Sequence, residues 1–202
     1  MRRRPALGPL LALALATALA PARARAAEDE VQVGLPAPSF SLRALDPSRA
    51  GAPFVALDHY VGADPEDPGA RAVLLSFFAS WCIPCAEELP YLAELDRRHR
   101  ADGLRILSVA IDPDEAGAAA AREMAERAGV RHPVLWDRLN LLARRYLGDR
   151  APLPSVFLVG RDGTVLLAAR GYGADAPALL GAEVRRALGL PPAAPPAAAR
   201  PR

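Results

Sequence analysis

Ala72-Val73-Leu74-Leu75-Ser76-Phe77-Phe78-Ala79-Ser80-Trp81-Cys82-Ile83-Pro84-Cys85 is the stretch on which the fold of this 202-residue chain turns. Its first eight residues form an apolar run suited to a strand buried on both faces. Its last four hold the only two cysteines in the chain, two residues apart. Beyond them Leu89, Leu92, Ala93 and Leu95 recur among Glu87, Glu88, Glu94, Asp96 and Arg97, the stripe of an amphipathic helix. The cysteines therefore fall where a strand ends and a helix begins. There, free backbone N–H groups and the positive end of the helix dipole favour a thiolate.

That setting decides whether a cysteine reacts. An ordinary thiol with a pKa of about 8.5 is only about 3% ionised at pH 7, whereas one near 6.5 is about three-quarters ionised. Cys82, at the helix entrance, is the expected nucleophile, and Cys85, one turn inward, the expected resolving thiol. Pro84 has no N–H to lose and suits a first helical turn. A purely structural bridge over so short a loop would contribute only about 2 kcal/mol. A metal site normally uses about four ligands; there is no second cysteine pair, and His59, His99 and His132 lie far from the pair and from one another along the chain. The pair reads as a dithiol/disulfide redox centre.

The chain opens with Arg2-Arg3-Arg4, an apolar stretch from Leu10 to Ala20, and Ala24-Arg25-Ala26, the pattern of a secretory signal cut after Ala26. The stretch is shorter than the ~20 residues of a spanning helix; an uncleaved membrane anchor is the alternative. Residues 1–26 carry five of the 25 arginines and no acids, and the chain has no lysine, so the remainder sets 20 arginines against 23 acids. A mildly acidic domain without a basic run argues against nucleic-acid binding. Residues 27–188 are expected to form one domain, and residues 189–202, nearly all Pro and Ala, a frayed tail.

The hydrophobic pattern predicts a weak strand around Phe40 and Leu42 with a hairpin partner at 53–57, then a surface loop over 58–71. After the buried strand come a helix to about Arg100 bent at Pro90, a strand over 104–111, a helix over 114–128 and a short strand at 134–136. A helix over 139–147, a hairpin of 155–159 with 164–169 across Gly160-Arg161-Asp162-Gly163, and a helix over 179–188 complete it. The fold class is α/β: a mixed sheet with helices on both faces.

With the redox pair, the Pro154 strand and the final hairpin in that order, the chain resembles thioredoxin-fold proteins and, more narrowly, the secreted TlpA/ResA-like thiol-disulfide oxidoreductases of the redoxin, AhpC/TSA-like superfamily. Phe78-Ala79-Ser80-Trp81-Cys82-Ile83-Pro84-Cys85 matches the active-site run, and Glu88 and Pro90 complete a WCxPCxxExP pattern. Leu153-Pro154-Ser155-Val156-Phe157-Leu158-Val159 matches the segment carrying the fold's cis-proline, and residues 114–136 match the family's central insertion. The resemblance spans roughly residues 33–188 and implies a thioredoxin fold with an N-terminal β-hairpin. It makes Cys82 the attacking and Cys85 the resolving thiol. It places Pro154, with Leu153 before it, opposite the pair as a substrate-docking element, an ordinary turn proline being the alternative. Trp81 would shield the sulfurs.

The resemblance also makes Glu88, three residues after Cys85, a partly buried relay for the Cys85 proton; the alternative is a solvated glutamate like Glu87. Thioredoxins carry a buried aspartate in the strand before the motif, and Ser76 stands in its place, leaving Glu88 as the candidate acceptor. The Gly-x-Pro-Glu segment of the cytochrome-c-maturation branch is replaced by Ala151-Pro152-Leu153-Pro154-Ser155, which argues against a haem-pathway role. Leu153 is larger and less polar than the Thr or Val often found there.

The expected function is that of an exported, periplasmic reductase of protein disulfides, acting by mixed-disulfide exchange. A disulfide-donating oxidase and a thiol-based copper metallochaperone are the alternatives. No organic cofactor or metal is expected beyond the redox-active Cys82–Cys85 disulfide. The expected partners are protein disulfide substrates and, as the family implies, a membrane thiol-disulfide transporter as electron donor, with the protein itself a monomer.

Overall fold

The computed structural model describes residues 31–192. The expected leader, residues 1–26, and most of the expected tail lie outside the described residues. Seven strands form one sheet in the order β2-β1-β5-β4-β3-β6-β7. At its centre β3 (Ala72–Phe78) is buried at every position, pairing in parallel with β4 (Leu104–Ala110) and antiparallel with β6 (Ser155–Gly160). A strand flanked on both sides and covered on both faces has no polar face to present, which is why its sequence is an unbroken apolar run save Ser76.

β1 (Ser41–Ala44) pairs antiparallel with β2 (Phe54–Ala56) and with β5 (Val134–Trp136), and β5 runs parallel to β4. β7 (Val165–Arg170) closes the far edge as the antiparallel partner of β6. The segment ahead of β1 lies against the start of β7, with Gly34 N–H donating to Val165 O at 2.8 Å and Val165 N–H to Leu35 O at 2.9 Å.

The helices are α1 (Pro47–Ala50), α2 (Ile83–His99), α3 (Glu115–Arg127), α4 (Leu141–Leu147) and α5 (Ala176–Ala187). Alternate residues of the central strands feed two hydrophobic clusters. Val73, Leu75 and Phe77 pack with Ala121 and Ala125 of α3 and with Leu142, Ala143, Tyr146 and Leu147 of α4. Leu74, Ile106 and Leu158 pack with Leu92 and Leu95 of α2 and with Leu180 and Val184 of α5. The mixed sheet between two helical layers is the fold class the sequence implies.

Element boundaries follow local chemistry. The Asp46-Pro47-Ser48 turn tightens into α1, with Asp46 Oδ1 accepting from Ser48 N–H and Arg49 N–H. Asp114 caps α3 by accepting from Gly117 N–H at 2.8 Å. α4 begins two residues later than its periodicity predicts, because Asn140 adopts a left-handed φ of 55° and Asp137 accepts from Leu141 and Ala143 N–H. α5 begins three residues earlier than predicted; Pro177 sits in its first turn, where a missing N–H costs nothing. α2 runs unbroken through Pro90. Gly103, at φ 101°, makes the turn into β4, where a Cβ would come within 2.8 Å of Gly69 O. The 58–71 loop is held to the sheet by the Arg105–Asp67 ion pair at 2.6 Å and by Arg161, which donates to Pro68 O and Ala70 O.

Candidate functional site

β3 delivers the chain to the C-terminal edge of the sheet, and Cys82 is the N-cap of α2. Its Sγ accepts from Cys85 N–H at 3.3 Å, so the sulfur takes the place of a capping oxygen beside the first-turn donors. Cys82 and Cys85 are joined as a disulfide, with Cα atoms 5.3 Å apart. Cys82 keeps 6% of its surface exposed and Cys85 none. Of the two sulfur-bearing residues, only Cys82 reaches solvent.

The residues around the pair divide sharply. Trp81 is 66% exposed and Ile83 77% exposed, and Pro84 is exposed in the first turn of α2. Leu153–Pro154 is a cis peptide. Ser155, the next residue, pairs with Phe77, so the antiparallel register carries Pro154 toward the end of β3, from which the cysteine loop leaves. Leu153 packs against the same cluster that contains both cysteines.

The loop ahead of Cys82 is pinned from β4. The Asp112 carboxylate, 1% exposed, accepts from Ser80 N–H at 3.2 Å and from Ser80 Oγ at 2.6 Å, while Trp136 Nε1 donates to Asp112 O at 2.7 Å. The sequence marks Asp112-Pro113-Asp114 only as the end of a strand. The one hint of this anchoring is an acidic residue right after an apolar strand, on the edge where the cysteines lie.

Glu88 is buried at 2% exposure, while its neighbour Glu87 is exposed. Its Oε2 accepts from Ser76 Oγ at 2.7 Å. Burial pushes the carboxyl up to about 7, and the Ser76 hydrogen bond acts in the opposite sense. Glu88 also borders a groove of about 590 Å³ formed by β7, the residues that follow it and α5, with Leu167, Tyr172, Leu179 and Leu180 among its walls. Sequence reading left this groove undetected, since its walls come from elements some 80 residues beyond Glu88.

Of the histidines, His132 is fully buried with Nε2 2.9 Å from Ser108 Oγ, and His59 Nε2 lies 3.7 Å from Glu66. Among the described residues no group of three or more His, Cys, Asp or Glu side chains is arranged to hold a metal ion. The arrangement can exchange two electrons at the Cys82–Cys85 pair and hold one proton on the buried Glu88.

A sequence profile of the AhpC/TSA family matches residues 33–168. The thiol-disulfide oxidoreductase ResA of Bacillus thuringiensis strain Al Hakam is 28% identical over 137 residues, 68% of this chain and 69% of its own length. ResA of Geobacillus kaustophilus is 32% identical over 99 residues, 49% of this chain and 54% of its own. A Chlorobium tepidum crystal structure bearing the name thiol:disulfide interchange protein DsbE superposes with a TM-score of 0.65 at 25% identity, covering 79% of this chain and all of that one.

Proposed function

This chain belongs to the AhpC/TSA family, and on that premise we propose that it is an exported thiol-disulfide oxidoreductase that reduces protein disulfides through Cys82 and Cys85. The observation that carries the reading is the cysteine pair at the N-terminus of α2, with only Cys82 open to solvent. In the reduced enzyme the Cys82 thiolate attacks one sulfur of a substrate disulfide. An S–S bond forms between them, and the second substrate sulfur leaves as a thiolate that takes up a proton. Cys85 then gives its proton to the Glu88 carboxylate and attacks Cys82 Sγ. The mixed disulfide breaks, the first substrate sulfur leaves as a thiolate that takes a proton from solvent, Glu88 releases its own proton to solvent, and the Cys82–Cys85 bond closes. Two electrons pass to the substrate, and the enzyme is left as the disulfide form found here.

Trp81 and Ile83 beside Cys82, with the backbone around Leu153 and Pro154, offer the surface against which an extended substrate segment docks. Export rests on the basic, apolar, small-residue pattern of residues 1–26. Among the described residues no helix is long and apolar enough to cross a membrane. In an oxidising compartment the disulfide must be reduced again, and a membrane thiol-disulfide transporter is the electron donor of this proposal. The working unit is a monomer, one domain over residues 27–188 with a Pro/Ala-rich tail.

Trapping tests the scheme. Cys85→Ala accumulates mixed disulfides through Cys82, whose partners mass spectrometry identifies; equal trapping by Cys82→Ala overturns the assignment. A reduction potential of about −270 mV or below fits a reductase, and one of about −120 mV fits a disulfide donor instead.

A further inference from the structure

We infer that Ser76 is a positioning residue for the Glu88 proton site, its hydroxyl holding the carboxyl group in either protonation state while the groove beside β7 lets that group exchange protons with solvent. The inference rests on the proton role proposed for Glu88, and it goes beyond it by naming the group that holds the carboxyl and opposes the effect of its burial.

The geometry is specific. Ser76 is a fully buried polar residue in the apolar centre of β3, and its Oγ lies 2.7 Å from Glu88 Oε2. A hydroxyl is both donor and acceptor and rotates to suit. It donates to the ionised carboxylate, and after proton uptake it can turn to accept from the acid. An alanine there would leave a buried carboxylate without this donor, at the full desolvation cost. A fixed carboxylate in the Ser76 place would repel Glu88 and force the two to share one proton.

Access comes from the other side. Glu88 borders the groove with Val156 of β6, Leu167 and Ala169 of β7, and Leu179 and Leu180 of α5. The titratable and charged groups around it are Arg170 at the end of β7, Tyr172 and Asp175 in the connection, and Glu183 of α5. Glu87 and Tyr91 lie on α2 itself, together with the Cys85 thiol once the disulfide is reduced. Tyr172 feels the site: burial raises its hydroxyl, and the charge of Glu88 adds to the rise.

The test reads Glu88 directly in the oxidised protein, where neither cysteine titrates. Carboxyl carbon-13 NMR of glutamate-labelled protein gives its midpoint. Ser76→Ala is expected to move that midpoint up by about one pH unit, the size of a lost hydrogen bond to a charged group. Ser76→Thr, which keeps the hydroxyl, is expected to restore it. An unchanged midpoint in Ser76→Ala, or a shift that Ser76→Thr fails to restore, overturns the inference. The parent reading fails separately. If Glu88→Gln leaves the pH profile of thiol alkylation in the reduced protein unchanged, Glu88 relays no proton, whatever the NMR titration shows for Ser76.

Discussion

Two serines stand side by side on the central strands, Ser76 of β3 opposite Ser108 of β4, and each holds one buried titratable group. Ser76 pairs with Glu88, and Ser108 with His132. Burial drives both partners toward their neutral forms: the carboxyl rises to about 7, while desolvation, helped by the positive Arg100 and Arg49, lowers the imidazole to about 3. The two sites then part ways. Glu88 borders a groove and follows Cys85 by one helical turn. His132 is wholly enclosed, and its Nδ1 meets no protein partner. The same serine-backed burial yields a group poised to change charge near neutrality in one place and one that stays neutral well below neutrality in the other. The difference lies in the chemistry of the buried group: loss of water raises an acid and lowers a base.

The largest expected effect breaks the comparison on its silent side. Because the folded-state value of His132 lies below its unfolded value of about 6.5, its stabilising neutral form is fully present above pH 6.5. As pH falls toward 3 the unfolded chain takes up a proton that the folded one refuses. This loss amounts to about 1.4 kcal/mol per pH unit, on the order of 4 kcal/mol over the window. His132→Gln removes that acid limb in urea unfolding from pH 7 to pH 3, at the expense of some stability at pH 7. A variant that keeps the wild-type slope would show that His132 does not resist protonation.

Glu88 carries the opposite sign. Its folded value lies above the unfolded one, so its contribution is complete below about pH 4.5 and is lost as pH rises through 7. Glu88→Gln is therefore expected to be about 3 kcal/mol more stable, relative to wild type, above pH 8 than below pH 4.5. Parallel stability curves for the two proteins would contradict the raised carboxyl. The smallest effect sharpens the contrast between the serines. Ser108→Ala should cost about 1 kcal/mol, visible in denaturation midpoints, and leave the pH profile of Cys82 and Cys85 alkylation where it was. A moved profile would mean that the two polar pairs act as one network.

Much of the scaffold was legible in advance because it depends on near neighbours along the chain. The apolar run of β3, the stripe of α2 and the Gly160–Gly163 hairpin occupy the places their periodicities predict. The mismatches, at the starts of α4 and α5, sit where Asp137 and Pro177 change which backbone donors need a partner. The site was legible only in part. The CxxC spacing marked both cysteines and the WCxPCxxExP pattern singled out Glu88, but only packing buries Glu88 and exposes Glu87. Asp112 marked only the end of a strand and proves to be the anchor of Ser80.

The sequence by itself determined that Cys82 falls at the entrance of a helix behind a buried strand with Cys85 three positions on, because strand period and helix period are short-range properties. Only the tertiary structure decided that Ser76 meets Glu88, that His132 lies buried against Ser108, and that a groove opens beside Glu88. Those outcomes depend on desolvation, which no residue carries alone. For Glu88 it is set by what β6, β7 and α5 place around the side chain, and those elements lie far along the chain from the cysteines.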